Sequence, residues 1–402
     1  MIRQQKSRAR LSIFASSVLL LAMLLILSGW GTAEAEHSAS QTAAQAACGP
    51  FQFRAARAGT DPAYVGSTFH LSQNYPATMP TNQAKPWEQF NFRTQPELYM
   101  QAVLAYILDG NVGVEFQGDL NPVRTWYHAP WLVETDFSSR EYIRGLTRER
   151  RSLAHVLHPQ QDTEVTNYAV SMYNPLGGYT IGQVWCDPNN PSPAAARFPN
   201  GTVAMKLLFT TATVTQVPFL ANSLTWQAFV ATTPNPTRHL DTVRLLQLDI
   251  AVRDRRANAT TGWVFGTFVY DAAQPGATLW ERLVPVGLMW GNDPTLNQAR
   301  FNSGRRPTQS IILNRTIGGV RLALGANERL NGPVDNPASS CLSCHSTAQD
   351  RYNGNIAPGN GLTEDQRMLF FRNIRAAQPY EAGQTSLDYS LQLAIGIRNF
   401  RS

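Results

Sequence analysis

The feature that most restricts what this chain can fold into is a two-residue periodicity running through its second half. From Gly201 to Thr213, the apolar residues Val203, Met205, Leu207 and Phe209 alternate with Thr202, Ala204, Lys206 and Thr210. Leu246, Leu248, Ile250 and Val252 alternate in the next run. Trp263 to Tyr270, Leu283 to Trp290 and Ser310 to Leu313 are further short apolar segments, divided by Gly, Pro, Asn and Asp. Successive side chains of a strand point to opposite faces, so these runs predict strands, and their turn-rich connections predict an antiparallel sheet. Strict alternation at Leu387, Tyr389, Leu391, Leu393, Ile395 and Ile397 predicts a last strand that rejoins the sheet.

The first half is mixed. Thr94 and Glu97 have capping-box spacing, Pro96 suits a first helical turn, and Leu98 to Leu108 reads as helix until Asp109-Gly110 stops it. Arg140 to Arg151 is densely charged and reads as a solvated helix rather than a partner-facing surface. The aromatic run Trp126-Tyr127-His128-Ala129-Pro130-Trp131 fits core packing better than a pocket wall. Gly177 to Trp185 carries a strand signal. The Pro/Asn/Ala stretch from Asp187 to Ala196 is the best linker candidate and places a division near residue 190. The expected fold class is therefore α+β and β-rich, with a mixed α/β region over 36–190 and an antiparallel-sheet region over 191–402.

The chain opens with Arg3, Lys6, Arg8 and Arg10, then an apolar run from Leu11 to Leu27 and a small-residue stretch ending Ala33-Glu34-Ala35. Basic, apolar and A-x-A-like segments in that order predict a cleaved Sec-type leader over 1–35 and a periplasmic destination. The apolar run is short for a membrane span and carries Ser12, Ser16 and Ser17. Nothing later resembles a second span. His37 to Ala47 is small and polar and is expected to be a disordered lead-in. Of the net charge of +6, four positive charges and Glu34 belong to the leader, so the remainder has no basic footprint for nucleic acid. Lysine is confined to Lys6, Lys85 and Lys206.

Near the C-terminus stands Cys341-Leu342-Ser343-Cys344-His345. The run resembles the attachment signature of c-type cytochromes at every fixed position. That resemblance implies one haem c held by thioether links to Cys341 and Cys344, with His345 as proximal iron ligand. The competing readings are a disulfide redox pair, which lacks its βαβ setting here, and half a zinc site, which lacks a second Cys/His pair. The cysteines left over are Cys48 and Cys186. In an oxidising compartment two such residues bridge or lie as separate buried thiols, and parity favours the bridge.

The motif lies at the end of a β-rich segment rather than at the start of a small helical domain. In this the chain resembles the cytochrome P460 and β-type cytochrome c′ group, antiparallel-sheet proteins with a C-terminal Cys-x-x-Cys-His. Phe198-Pro-Asn-Gly-Thr-Val-Ala-Met-Lys206 looks like that group's F-P-x-G-T-V-x-x-K strand, and Trp263 to Phe268 is similar to one of its aromatic strands. The resemblance covers roughly residues 198–345 and implies that Lys206 cross-links to the haem edge. Two features depart from the pattern: Leu207 stands where the group has an acidic residue, and the extension after the haem motif is long.

Three functions are compatible with these residues. The first, favoured, is electron transfer with a redox partner protein, Met368 or a histidine such as His128 filling the sixth iron position. The second is a P460-like haem enzyme or gas binder with an open distal site, oxidising hydroxylamine or binding nitric oxide. The third is a binding module in which haem serves as a relay. After the motif, Thr363 and Gln366 predict a capped helix carrying Met368, Leu369, Phe371 and Ile374.

Overall fold

The computed structural model describes residue 48 and residues 63–132, 140–232 and 237–402. The leader expected over 1–35 and the lead-in after it lie outside the described residues. The fold described is that of the unit Gly49–Ser402.

Eight antiparallel strands form one sheet: β1 (Thr147–Arg148), β2 (Asn167–Tyr173), β3 (Val203–Thr210), β4 (Thr225–Val230), β5 (His239–Arg253), β6 (Trp263–Tyr270), β7 (Leu283–Met289) and β8 (Ser310–Ile312). Their order is β1-β2-β3-β5-β6-β7-β8, with β4 paired to the first part of β5. This is the β-rich antiparallel architecture that the two-residue periodicity calls for. Because β2 pairs with β3 along its whole length, residues on both sides of position 190 share the sheet. Gly201 opens β3 with φ +93, a left-handed conformation that glycine adopts without steric cost.

Each alternating run sends one set of side chains under helix α1 (Pro96–Leu108). Val203, Met205, Leu207, Leu248, Ile250 and Val252 are buried there, in a core that also holds Met100, Val103 and Ile107. On the opposite face, Ala204, Lys206, Asp249 and Ala251 are only partly covered.

Four local expectations are corrected. Helix α1 starts at Pro96 with Gln95 as its N-cap and no side-chain cap, so Thr94 and Glu97 form no capping box. The charged stretch is not a solvated helix: Arg140 and Glu141 are fully buried. The Glu141 carboxylate accepts the backbone N–H groups of Ile143, Leu146 and Phe229, which offsets the cost of burying a charge. Residues Pro175–Val184 form helix α2 rather than a strand, with the Asn174 side chain accepting from Gly177 N–H. A Cβ on Gly178 would lie 2.3 Å from the Tyr127 ring, so glycine allows the helix to pack against that aromatic run. The C-terminal alternation is helix α6 (Leu391–Arg401), capped by Ser390 and burying Leu393, Ala394 and Ile397.

Between these lie α3 (Gln298–Asn302), α4 (Cys341–His345), which carries the Cys-x-x-Cys-His run, and α5 (Glu364–Met368). The expected box of Thr363 and Gln366 caps α5. That helix ends at Met368, before a 3-10 turn over Leu369–Phe371. Trp126, Tyr127 and His128 are buried in the core. Cys48 and Cys186 are joined in a disulfide. Among the described residues, no helix is long and apolar enough to cross a membrane.

Candidate functional site

Helix α4 has five residues, too few to satisfy its own terminal backbone groups, so its ends decide whether it forms. Ser340 Oγ accepts from Ser343 N–H at 3.1 Å, and Ser343 Oγ accepts from Ser340 N–H at 2.8 Å. This capping box lies inside the motif region itself. Ser340 Oγ also donates to Asn292 Oδ1 at 3.0 Å.

One helical turn places residues i, i+3 and i+4 on the same side. Cys341, Cys344 and His345 are accordingly partly exposed together, while Leu342 and Ser343 are buried. The Nδ1 of His345 is 2.9 Å from the carbonyl oxygen of Tyr389. A carbonyl can only accept, so Nδ1 carries the proton and Nε2 keeps its lone pair for a ligand. Burial, opposed by that hydrogen bond, pushes the imidazole pKa down to about 4, so the ring is neutral. Its plane lies 4.8 Å, centre to centre, from the Phe265 ring.

The half-covered face of the sheet confronts this helix. Ser171, Lys206, Asp249 and Thr267 form one row in register across β2, β3, β5 and β6. Tyr173, Ala204, Ala251 and Phe265 form the next row. Two adjacent alanines on central strands leave the face shallow beside Phe265 and the His345 ring. The Thr267 hydroxyl reaches Cys341, and Cys341 Sγ is 3.8 Å from Asn331 Oδ1.

Charged groups edge the same face. Lys206 Nζ is 3.4 Å from Glu149 Oε2. Gln247 Nε2 donates to Asp249 Oδ1 and Oδ2 at 2.8 and 2.9 Å and to Asp335 Oδ2 at 3.2 Å, and Thr267 Oγ1 donates to Asp249 Oδ1 at 2.9 Å. Burial lowers the affinity of Lys206 for its proton, but Glu149, Asp249 and Asp335 outweigh it and hold the amine above the usual lysine range. Burial and then Asp335 push Asp249 up, against Lys206. Burial raises the Cys341 thiol well above its ordinary value and the Cys344 thiol to about 11. Neither is a poised thiolate, which argues against a reactive redox pair.

The structure brings Cys341, Cys344, His345 and Lys206 into one neighbourhood: Lys206 bears electrostatically on both Cys344 and His345. Met368 is half-buried at the end of α5, next to the turn Leu369–Phe371 that packs on α4. His128 lies elsewhere in the core, its Nδ1 accepting from Ser72 N–H and its ring set edge-on to Phe69. Phe198 of the strand motif is buried and stacks on Tyr173 at 5.5 Å. Asp249, Gln247, Asp335 and Tyr389 escaped sequence reasoning. An acid inside an apolar alternating strand was the available signal for Asp249, whereas Tyr389 acts through a backbone carbonyl and leaves none.

The donor set fits a covalent c-type haem. It offers two thiols and a neutral imidazole on one side of a turn, facing a shallow sheet surface with an aromatic wall. Among the described residues, no three His, Cys, Asp or Glu side chains converge as a metal-ion ligand set. In comparisons with known proteins, no family model, no curated protein and no solved structure matches the chain.

Proposed function

We propose that this chain is an exported c-type haem protein acting in electron transfer. Cys341 and Cys344 hold one haem through thioether links, and His345 Nε2 ligates the iron. The observation that carries this reading is the common orientation of those three side chains, with the His345 Nδ1 proton engaged by the Tyr389 carbonyl. Haem supplies one-electron redox chemistry. The chain's own contribution is to orient the imidazole and to present a sheet face lined by Ala204, Ala251 and Phe265. Met368 is the candidate sixth ligand, and the expected partner is a redox protein. Export to the periplasm rests on the leader, and the Cys48–Cys186 bridge is compatible with it.

A second reading is favoured by the position of Lys206: a P460-like haem enzyme or gas binder that oxidises hydroxylamine or binds nitric oxide at an open distal site. What supports it is that Lys206 stands on the sheet face that confronts α4 and bears electrostatically on Cys344 and His345.

Both readings need covalent haem. A denaturing gel of protein from cells with working haem maturation, stained for haem peroxidase activity, should show a positive band. Cys341→Ser or Cys344→Ser should weaken it. A wild-type band free of haem would sink the reading.

A further inference from the structure

The acceptor for His345 Nδ1–H sits in an uncommon piece of backbone. Asp388 and Tyr389 have φ of +47 and +69, and Ser390 N–H donates to the Leu387 carbonyl at 2.9 Å. This is the pattern of a type I′ turn, which Asn and Gly usually supply. A tyrosine in the left-handed region costs about 1–2 kcal/mol, so the turn persists only if its surroundings hold it.

Asp388 holds it. The residue is 2% exposed, and its carboxylate gathers three donors from separate parts of the fold. Trp263 Nε1–H reaches Oδ1 at 3.1 Å, Ala377 N–H reaches Oδ1 at 3.2 Å, and Phe198 N–H reaches Oδ2 at 2.8 Å. Leu387 N–H donates to the Ala348 carbonyl at 3.0 Å, which ties the same turn to the chain just after α4. The Tyr389 hydroxyl donates to the Ile374 carbonyl. The direction of the Tyr389 carbonyl is therefore set by a carboxylate that never touches the imidazole.

We infer that Asp388 is a positioning residue for His345: it clamps the Leu387–Ser390 turn, so that the Tyr389 carbonyl fixes the ring and the electron donation of the iron ligand. A hydrogen bond from the non-ligating nitrogen raises ligand basicity. A slackened turn weakens that bond, lessens donation to the iron and favours its reduced state. The inference rests on the haem reading.

The test uses the full mature protein purified with its haem, whose content is read as the pyridine haemochrome. In Asp388→Asn, an amide N–H replaces one acceptor oxygen and opposes a donor. The iron–histidine stretching band, recorded after photolysis of the reduced carbon monoxide adduct, should move to lower frequency, and the midpoint potential should rise. Removing a negative charge alone also raises a potential, so Trp263→Phe supplies the control. It deletes one of the three donors without changing charge and should shift both readouts in the same direction by a smaller amount. If Asp388→Asn does not fold, Trp263→Phe decides alone. Full haem content with an unmoved band and potential in Trp263→Phe overturns the inference and leaves the haem reading standing. A wild-type protein without haem overturns both.

Discussion

Glu149 Oε2 lies 3.4 Å from Lys206 Nζ, joining the residue after β1 to a central strand on the face that confronts the Cys341–His345 helix. With Asp249 and Asp335 also nearby, the amine stays an ammonium through neutral pH. An ammonium has no lone pair, so a cross-link from Lys206 to a haem edge requires its proton to leave first. The visible spectrum of the oxidised and reduced protein separates the outcomes. Ordinary c-haem bands, a low-spin ferric form, no response to Lys206→Arg and a changed spectrum in Met368→Ala identify electron transfer. Shifted bands that Lys206→Arg returns to ordinary positions identify the cross-linked site, because the guanidinium is a far poorer nucleophile. A high-spin ferric form that binds nitric oxide identifies an open site.

Stability should depend on pH through Asp249. In the unfolded chain this carboxyl ionises near the ordinary value of about 4. In the folded protein, burial and Asp335, opposed by Lys206, push it up to about 7. Between those values the folded state binds the proton more tightly, so this contribution is fully present below about pH 4 and is lost as pH rises towards 7. Asp249→Asn should gain stability relative to wild type, by about 1–3 kcal/mol more at pH 7.5 than at pH 4.5. Equal differences at the two pH values in urea unfolding would refute it.

Arg329 is fully buried and donates to the carbonyls of Asn292, Asp293, Leu296 and Ala326 at 2.7 to 3.0 Å, with its guanidinium 4.3 Å from the centre of the Phe371 ring. Burial lowers its pKa only to about 10, so it remains charged. It ties the loop after β7 to the segment leading into the Cys341–His345 helix. Lysine keeps the charge but lacks the planar fork. Arg329→Lys should cost about 2–4 kcal/mol, because several buried carbonyls lose their donor. The check is the urea midpoint at unchanged denaturant dependence, and a loss below about 0.5 kcal/mol would contradict it.

The Cys48–Cys186 bridge closes a loop of roughly 140 residues. A loop of that length constrains the unfolded chain by about 4–5 kcal/mol in the loop-entropy treatment. A non-reduced digest should yield the two cysteine peptides as one mass. The double variant Cys48→Ser, Cys186→Ser should unfold at clearly lower urea than the wild type. Alkylation of both thiols in the native, non-reduced protein would count against the bridge.

Five sheet strands were legible from residue spacing alone, and Trp263 to Tyr270 matches β6 end to end. That strand is buried along its whole length and was legible as a short apolar run bounded by turn residues. Along the first half of β3 and the end of β5, one face is buried and the other partly covered, which imposes a two-residue period. The same period misled at the C-terminus. Leu393, Ala394 and Ile397 also lie on one helical face, and Ser390, a good N-cap, starts a helix there. Gly177 to Trp185 misled for a related reason. Asn174 and Pro175 are helix-start residues, and the glycines that lower helix propensity were required by close packing on Tyr127. Arg140 and Glu141 looked solvated because charge usually is, but the backbone N–H groups that make burial tolerable for Glu141 come partly from β4.

By itself, the sequence determined the alternating strands and the spacing that puts two thiols and an imidazole on one side of a turn. Both follow from local backbone geometry, which repeats every two or 3.6 residues whatever surrounds it. Tertiary structure alone decided what that turn faces. Lys206, Asp249, Thr267 and Phe265 come from three strands, and the Tyr389 carbonyl comes from a turn more than forty positions away. Their meeting depends on strand register and on buried hydrogen bonds between distant segments, interactions that leave no periodic trace in the chain.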